Sequence, residues 1–460
     1  MTENTLVKER LPITLAIAIF MQMLDSTILN TALPAIARDL NQSAINMHYA
    51  IVAYVLTLAL LMPVSGFLAD KFGTQRVFIM ALLIFSIGSL FCALSKNLTH
   101  LIIARIIQGA GGSLMTPVGK LAIIKTFDTK EIVKAMNFAI VPALIGPVMG
   151  PLVGGYMSVY LSWHWIFLIN IPIGVVGIIL ARSYMPNYRS DAPKFDLRGF
   201  VYFSLASLLL SLSIELLGDV QNLTLVLTIF IIGILSLIVY FIYARKSQNA
   251  IFPTNLFMVR TFRVGILGNF ATRLGISSVP LLLPLMIQTV FGQSAIVSGW
   301  MIAPMALMAI FAKSRVITIL QKFGYRNTLV VNTMIIGLLI ASLAIPGIHT
   351  SIYWFVPIIV TIGFFNSIQF TSMNTIAIAD LRKYHTSSGN SLLAVNQQLA
   401  IGFGISSGLL ILKYFEANKA MLDNSTHTAF RYTFMVIGLI SILSSFVFRR
   451  LHASDGSNLQ

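Results

Sequence analysis

One carboxylate sits alone in an apolar run. Residues 11–33 are long enough to cross a membrane, and Asp25 is their only acid. A charged carboxylate in hydrocarbon is costly, so such a group is either paired or able to take up a proton. The natural partner lies about eighty residues on, in Arg105-Ile-Ile-Gln-Gly-Ala-Gly-Gly112. Positions 105, 108, 109 and 112 share one helical face, which offers a guanidinium, the amide of Gln108 and two glycines. Depth counting places Asp25 about 12 Å and Arg105 about 9 Å from the outer ends of their spans, at 1.5 Å per residue. The two can therefore meet at one level. Breaking and remaking that contact would let Asp25 load and release a proton, so Asp25 and Arg105 are the proton-coupling candidates. A fixed structural ion pair is the alternative for Asp25, and snorkelling to the interface is the alternative for Arg105.

The second half supplies a different set. Arg273 is embedded in Asn-Phe-Ala-Thr-Arg-Leu-Gly, roughly 14 Å from the inner end of its span. No acid lies between Asp219 and Asp380. Arg273 is then either satisfied by carbonyls, snorkelled, or turned to a central cavity. Asn366 and Gln369 stand at i, i+3, and Asn390 and Gln397 at i, i+7, so each pair shares a face. Interhelical hydrogen bonding and substrate contact both account for such amides. With Asn30 and Gln108, these residues and Arg273 form the candidate substrate-binding set.

The elements that must position these groups are transmembrane helices. Of 460 residues, 57% are hydrophobic and 10% charged, and mean hydropathy is +0.86. No soluble protein of this size has interior enough for that. Apolar stretches of about 20 residues, one crossing each, recur at 11–33, 47–68, 77–95, 99–121, 135–158, 165–183, 199–217, 223–244, 264–290, 295–313, 327–346, 351–378, 387–412 and 432–449. The expected class is an all-α polytopic membrane protein of about fourteen spans. The net charge of +16 reads as topology rather than nucleic-acid binding. Lys8, Arg10, Lys71, Arg76, Lys120, Lys125, Lys130, Lys134, Arg182, Arg189, Lys194 and Arg198 fall in alternate loops, which predicts both termini on the cytoplasmic side. The basic start and Ala35-Ile-Ala37 mimic a cleavable signal. The length of the run and Asp25 within it favour an uncleaved first span.

The expected division is an N-terminal six-helix block (1–183), a cytoplasmic linker (184–198), two additional spans (199–244), a C-terminal six-helix block (245–450) and a tail (451–460). A short repeat agrees: Lys71-Phe-Gly73 with Arg76, and Lys322-Phe-Gly324 with Arg326, each after the second span of its block. Such parallel repeats build one class of secondary transporter.

Longer motifs sharpen this. Gly66-Phe-Leu-Ala-Asp70-Lys71-Phe-Gly73-Thr-Gln-Arg76 combines flexible glycines with charges able to network. It resembles the signature of the major facilitators between spans two and three, which implies a latch at the cytoplasmic face. Gln321 stands where Asp70 would align in the second copy, so the latch is expected to be asymmetric. Gly146, Gly150 and Gly154 recur at i+4, as do Pro147, Pro151 and Gly155, giving a smooth packing face on a kinked helix. This resembles the Gly-Pro motif of antiporters within that superfamily. Trp163-His-Trp-Ile-Phe-Leu-Ile-Asn-Ile-Pro-Ile-Gly174, whose aromatics read as an interface belt, and Leu24-Asp-Ser-Thr-Ile-Leu-Asn30 are similar to stretches of the fourteen-span EmrB/QacA-type drug:proton antiporters.

The resemblance implies the major facilitator fold, two six-helix bundles plus two extra helices, rocking about a midplane site. It also implies a proton-coupled exporter of drugs or toxic amphiphiles in a bacterial inner membrane. The alternative is export of a defined metabolite or organic anion, such as a carboxylate or its metal chelate. An enzyme or channel is disfavoured: the spans hold no His cluster, acidic pair, nucleophile–base set or K+-filter string. The expected partners are a small-molecule substrate and the lipid bilayer, with no nucleic acid. No metal or cofactor beyond the coupling proton is expected, and the chain is expected to work as a monomer.

Overall fold

The computed structural model describes residues 3–190, 195–217, 223–247, 249–382, 386–421 and 423–456. Lys194 and Asp219, named above, lie outside them. The described residues form helices: α1 Glu3–Asp39, α2 His48–Leu61, α3 Val64–Phe72, α4 Thr74–Ala93, α5 Leu98–Thr126, α6 Thr129–Ala143, α7 Gly146–Tyr160, α8 Trp165–Leu168, α9 Asn170–Tyr184, α10 Leu197–Leu217, α11 Leu223–Lys246, α12 Arg260–Ile276, α13 Val279–Thr289, α14 Ala295–Ser342, α15 Phe355–Ala379, α16 Thr386–Ala417 and α17 Thr426–Phe448.

Eleven helices among the described residues are long and apolar enough to cross a membrane, and α2 with α3, bent by 58°, makes a twelfth span. Fourteen crossings remain compatible with this, for two reasons. The 48-residue α14 is two helices meeting at Gly324, whose φ is +71°. The expected fifth span is divided between α6 and α7, each of 15 residues, and neither alone reaches the length of a crossing. The breaks follow proline. Pro63 separates α2 from α3, Pro147 opens α7 and Pro280 opens α13. A proline tolerates the first turn of a helix but removes a backbone donor within one.

The Lys-Phe-Gly repeat is one of backbone conformation. Gly73 has φ +99° and Gly324 φ +71°, so in both copies a helix ends at phenylalanine and restarts after a residue in a conformation side chains resist.

The chain forms two compact units, 1–195 with 294–303, and 196–293 with 304–460. In the first, α1 runs through the middle, packed on α5, α6, α7 and α9, while α4 lies along α5. Phe78, Phe85, Phe167 and Tyr54 are fully buried there. In the second, α12 packs on α15, α16 and α17. The two additional spans, α10 and α11, pack on each other, and α10 rests against α16. Glu215 of α10 accepts a hydrogen bond from Ser406 of α16. Asp196 ties the base of this pair, accepting from Gly199 N, Tyr243 Oη and Ile251 N.

Candidate functional site

In the first unit, α1, α4, α5 and α9 bring one polar cluster into an apolar interior. Arg105 Nη1 donates to Asp25 Oδ2 at 2.7 Å, and both side chains are buried, at 1% and 0% exposure. Gln108 donates from Nε2 to Asp25 Oδ1 and to Ser89 Oγ, each at 2.7 Å, and its Oε1 accepts from Arg105 Nη1 at 2.6 Å. Asn170 Nδ2 donates to Asp25 Oδ1 at 3.0 Å. Arg105 Nε reaches the Ala50 carbonyl at 3.3 Å, and its guanidinium lies 4.0 Å from the Tyr54 ring centroid.

Such a network puts opposite charges in contact and gives both carboxylate oxygens hydrogen-bond donors, the conditions that favour a buried ion pair, while Asn170 Oδ1 and Tyr54 Oη beside it are buried without a partner among the described residues. The two glycines of the Arg105 face permit the approach. A Cβ on Gly109 would meet Thr57 at 2.9 Å, and one on Gly112 would meet Leu58 at 3.0 Å.

Gln108, read from sequence as a substrate contact, is fully buried and spends its amide on Asp25, Arg105 and Ser89. Asn30 is half-buried and stands five residues beyond Asp25, about 140° round the helix, away from the cluster. Ser89 and Asn170 were not singled out in the sequence. Asn170 carried a signal, as the one amide in the Trp163–Gly174 string; Ser89 carried none. That string also differs from a simple aromatic belt. Trp165 is exposed at 49%, as a belt requires, but Trp163 is buried at 4% and donates to Asp39 Oδ2 at 2.8 Å.

The small residues of α7 hold α1 at the Asp25 level. A Cβ on Gly146 would fall 2.9 Å from Met23 Cβ, one on Gly150 2.0 Å from Thr27 Oγ1, and one on Gly154 2.3 Å from the Ile28 carbonyl. Thr31 Oγ1 donates to the Pro151 carbonyl at 3.3 Å. Gly155 faces the other way, toward Ala295 in the same unit. Pro147, in the first turn, supplies the break before α7.

The charges of the 66–76 string do not pair with one another, contrary to the sequence expectation. Asp70 takes Lys125 Nζ at 3.0 Å and Ser190 Oγ at 2.6 Å. Lys71 lies over the rings of Phe67 and Phe72. Arg76 is exposed, with its backbone N–H directed at Asn187 Oδ1. The reason is geometric: Asp70 lies near the end of α3, which packs along α5, so Lys125 is its neighbour. Gly66 is exposed, with open space around it. Gly73 is buried against Asn187, whose Oδ1 would lie 2.1 Å from an added Cβ.

The second unit has its own polar cluster. Arg273 Nε donates to Asn269 Oδ1 at 2.8 Å, and the guanidinium sits 5.1 Å from the Phe370 centroid. Asn374 Oδ1 accepts from Asn269 Nδ2 at 3.3 Å and from Gln397 Nε2 at 2.7 Å. Gln369 joins Asn332 and Thr333 through bonds of 2.8 and 2.7 Å. Arg273, Asn366 and Gln369 line one small cavity of about 10 Å³, room for about one water. Among the described residues no carboxylate pairs with Arg273. Asn390 is exposed and belongs to another part of α16. Asn332, Thr333 and Asn374 carry no mark in the sequence, whereas Asn269 does, standing at i−4 from Arg273 in the same string. No three His, Cys, Asp or Glu side chains gather to hold a metal among the described residues.

The sequence profile of the Major Facilitator Superfamily matches residues 15–405. The chain belongs to that superfamily. It is 42% identical over 450 residues to the "Probable transport protein HsrA" of Haemophilus influenzae, covering 97% of this chain and 96% of that protein. It is 40% identical over 450 residues to the "Putative multidrug resistance protein MdtD" of Escherichia fergusonii, covering 96% and 95%. Among solved structures, an auto-inhibited POT-family peptide transporter aligns with a TM-score of 0.74 at 13% identity, covering 97% of this chain and 98% of the other. A bacterial homologue of the human lysosomal transporter Spinster aligns at 0.68 and 15%, covering 96% of each. These last two share the fold. This major facilitator is thus a multi-pass membrane transporter, with eleven or twelve candidate spans among the described residues.

Proposed function

We propose that the chain is a proton-coupled exporter of drugs or amphiphilic toxic compounds, a substrate:H+ antiporter working by alternating access in a bacterial inner membrane with both termini cytoplasmic. One observation carries the reading: a fully buried carboxylate, Asp25, held by a guanidinium and two amides rather than by a second fixed charge alone. Protonation of Asp25 removes its attraction for Arg105 and leaves Gln108 and Asn170 as the neutral partners, so the cluster has two states that differ by one proton. The glycine face of α7 clasps α1 across residues 20–31, so a change at Asp25 reaches α7 directly. That clasp, with the antiporter motif it forms, supports outward transport. The name of the MdtD relative supports drugs as cargo. The protein needs no cofactor beyond the proton and works as a monomer.

The test is transport in proteoliposomes with and without an imposed pH gradient. Asp25→Asn should abolish gradient-driven transport while leaving substrate binding measurable. Wild-type gradient-driven rates in that variant would refute the coupling role.

A second reading has its own observation. Arg273 is satisfied by an amide and a ring, without a carboxylate among the described residues, which leaves its positive charge available to an anion. The cargo is then an organic anion or an acidic amphiphile, with Arg273, Asn366, Gln369 and Gln397 toward it. Competition by organic acids that vanishes in Arg273→Gln would support it. Competition of equal strength in both proteins would reject it.

A further inference from the structure

A groove of the first unit has no part in the Asp25 cluster. It lies between α1, α6 and α9 and has two connected parts. The first, of about 570 Å³, is lined by Ile13, Ala16, Ile17 and Phe20 of α1, with Phe138 of α6 and Ile173 of α9 among the residues opposite, and no polar side chain among the described residues lines it. The α1 residues fall at i, i+3, i+4 and i+7, one stripe of the helix, spanning about 10 Å. The second part, of about 760 Å³, shares Ile13 and Phe138 and ends in charged side chains: Lys8, Glu9, Arg10, Glu131 and Lys134. Lys8 is answered by Glu131 at 2.7 Å, with Asp128 at 3.9 Å. Arg10 and Lys134 are exposed and form no ion pair among the described residues. The groove therefore joins an apolar slot, long enough for part of an acyl chain, to a mouth whose described side chains carry an excess of positive charge.

We propose that this groove seats one anionic phospholipid, its acyl chain along Ile13 to Phe20 and its phosphate taken by Arg10 and Lys134. Two features choose the occupant. An apolar slot between three helices of a membrane-spanning chain meets lipid before it meets any soluble ligand. The mouth, with Lys8 already neutralised, retains two cations against Glu9, which favours a head group of net negative charge over a zwitterion. Embedding in the membrane is all this requires, so it stands apart from proton coupling. It does bear on the same helices, because α1 also carries Asp25 and α9 also carries Asn170.

The full-length protein with Phe138→Trp, reconstituted in vesicles containing brominated phosphatidylglycerol or brominated phosphatidylcholine, reads occupancy by fluorescence quenching at that position, relative to the protein with Phe138 retained. The expected result is stronger quenching by the anionic lipid at equal mole fraction. Arg10→Gln and Lys134→Gln should each lower that preference by about fivefold, the effect of one basic residue near an anionic head group. Lys134→Glu should lower it further. Equal quenching by the two lipids in the parent protein overturns the proposal, as does an unchanged preference in the Arg10→Gln, Lys134→Gln double variant. The parent measurement stands even if a charge variant fails to fold.

Discussion

Replacing Asp25 by asparagine should damage the fold as well as transport, and the structure says how the two can be separated. Asparagine keeps the shape and one acceptor oxygen but removes the charge that answers Arg105. The guanidinium would then lie at 1% exposure with one backbone carbonyl, the Gln108 oxygen and the Tyr54 ring as partners. Breaking one side of a buried ion pair costs about 3–5 kcal/mol. The three neutral partners that remain should place this case near the lower figure. Arg105→Gln leaves the mirror defect, a buried carboxylate with only Gln108 and Asn170. The double variant Asp25→Asn, Arg105→Gln has no charge to strand, and replacing both partners of a buried pair is often close to neutral. The stability cycle should therefore show a coupling of at least about 2 kcal/mol, with the double variant more stable than either single one. Thermal unfolding of the four purified proteins in one detergent reads the order of stability, and chemical unfolding reads the free energies. All three variants should fail to use a pH gradient, including the one that recovers stability. A double variant less stable than both single variants would refute the paired-charge account. A stable double variant that still couples transport to protons would refute the role of Asp25.

Three further outcomes test the packing and backbone arguments. Gly150→Ala should destabilise by about 1–3 kcal/mol through overpacking, because its Cβ would meet Thr27 at 2.0 and 2.9 Å, whereas Gly66→Ala, in open space, should be nearly silent; thermal unfolding compares them. Gly73→Ala should cost more than Gly324→Ala, since both have positive φ but only Gly73 would also strike Asn187. The backbone part alone is about 1–2 kcal/mol, and equal losses would show that the Asn187 contact yields freely. Asn97→Ala should weaken the start of α5 by about 1 kcal/mol, since the Asn97 side chain accepts from His100 N at 2.8 Å, and Asn97→Ser should recover most of the loss.

The class of fold was legible because hydrocarbon imposes so strong a rule: runs of about 20 apolar residues with charges gathered between them. The meeting of Asp25 and Arg105 was legible for the same reason, since depth along a straight helix is a count of residues. Rotation about the helix is not fixed by depth. Gln108 was placed on the Arg105 face yet grouped with the substrate contacts, whereas that face turns into the cluster, and Ser89, one of many serines on apolar helices, had nothing to mark it. The helices run beyond the apolar spans read from sequence, as in α1 and α5. The residues between the expected tenth and eleventh spans read as a loop, yet α14 is continuous there apart from Gly324. Hydropathy marks where a helix leaves lipid, and hydrogen bonding decides where it stops. The expected network of Asp70, Lys71 and Arg76 is another matter: nearness in sequence groups the three charges, whereas neighbours on a helix point about 100° apart, and Asp70 meets Lys125 and Ser190 instead.

That no carboxylate among the described residues compensates Arg273 has an electrical consequence. In the first unit Asp25 and Arg105 cancel while the carboxylate is ionised, so the two clusters together hold a net charge of about one inside the apolar band. Protonating Asp25 raises that to about two. A charge carried through the whole membrane field is worth about 2.3 kcal/mol per 100 mV, so the resting potential of a cell would weigh on each state of the cycle differently, and an anionic cargo beside Arg273 would relieve that weight. Transport should then respond to a clamped voltage even with pH equal on both sides.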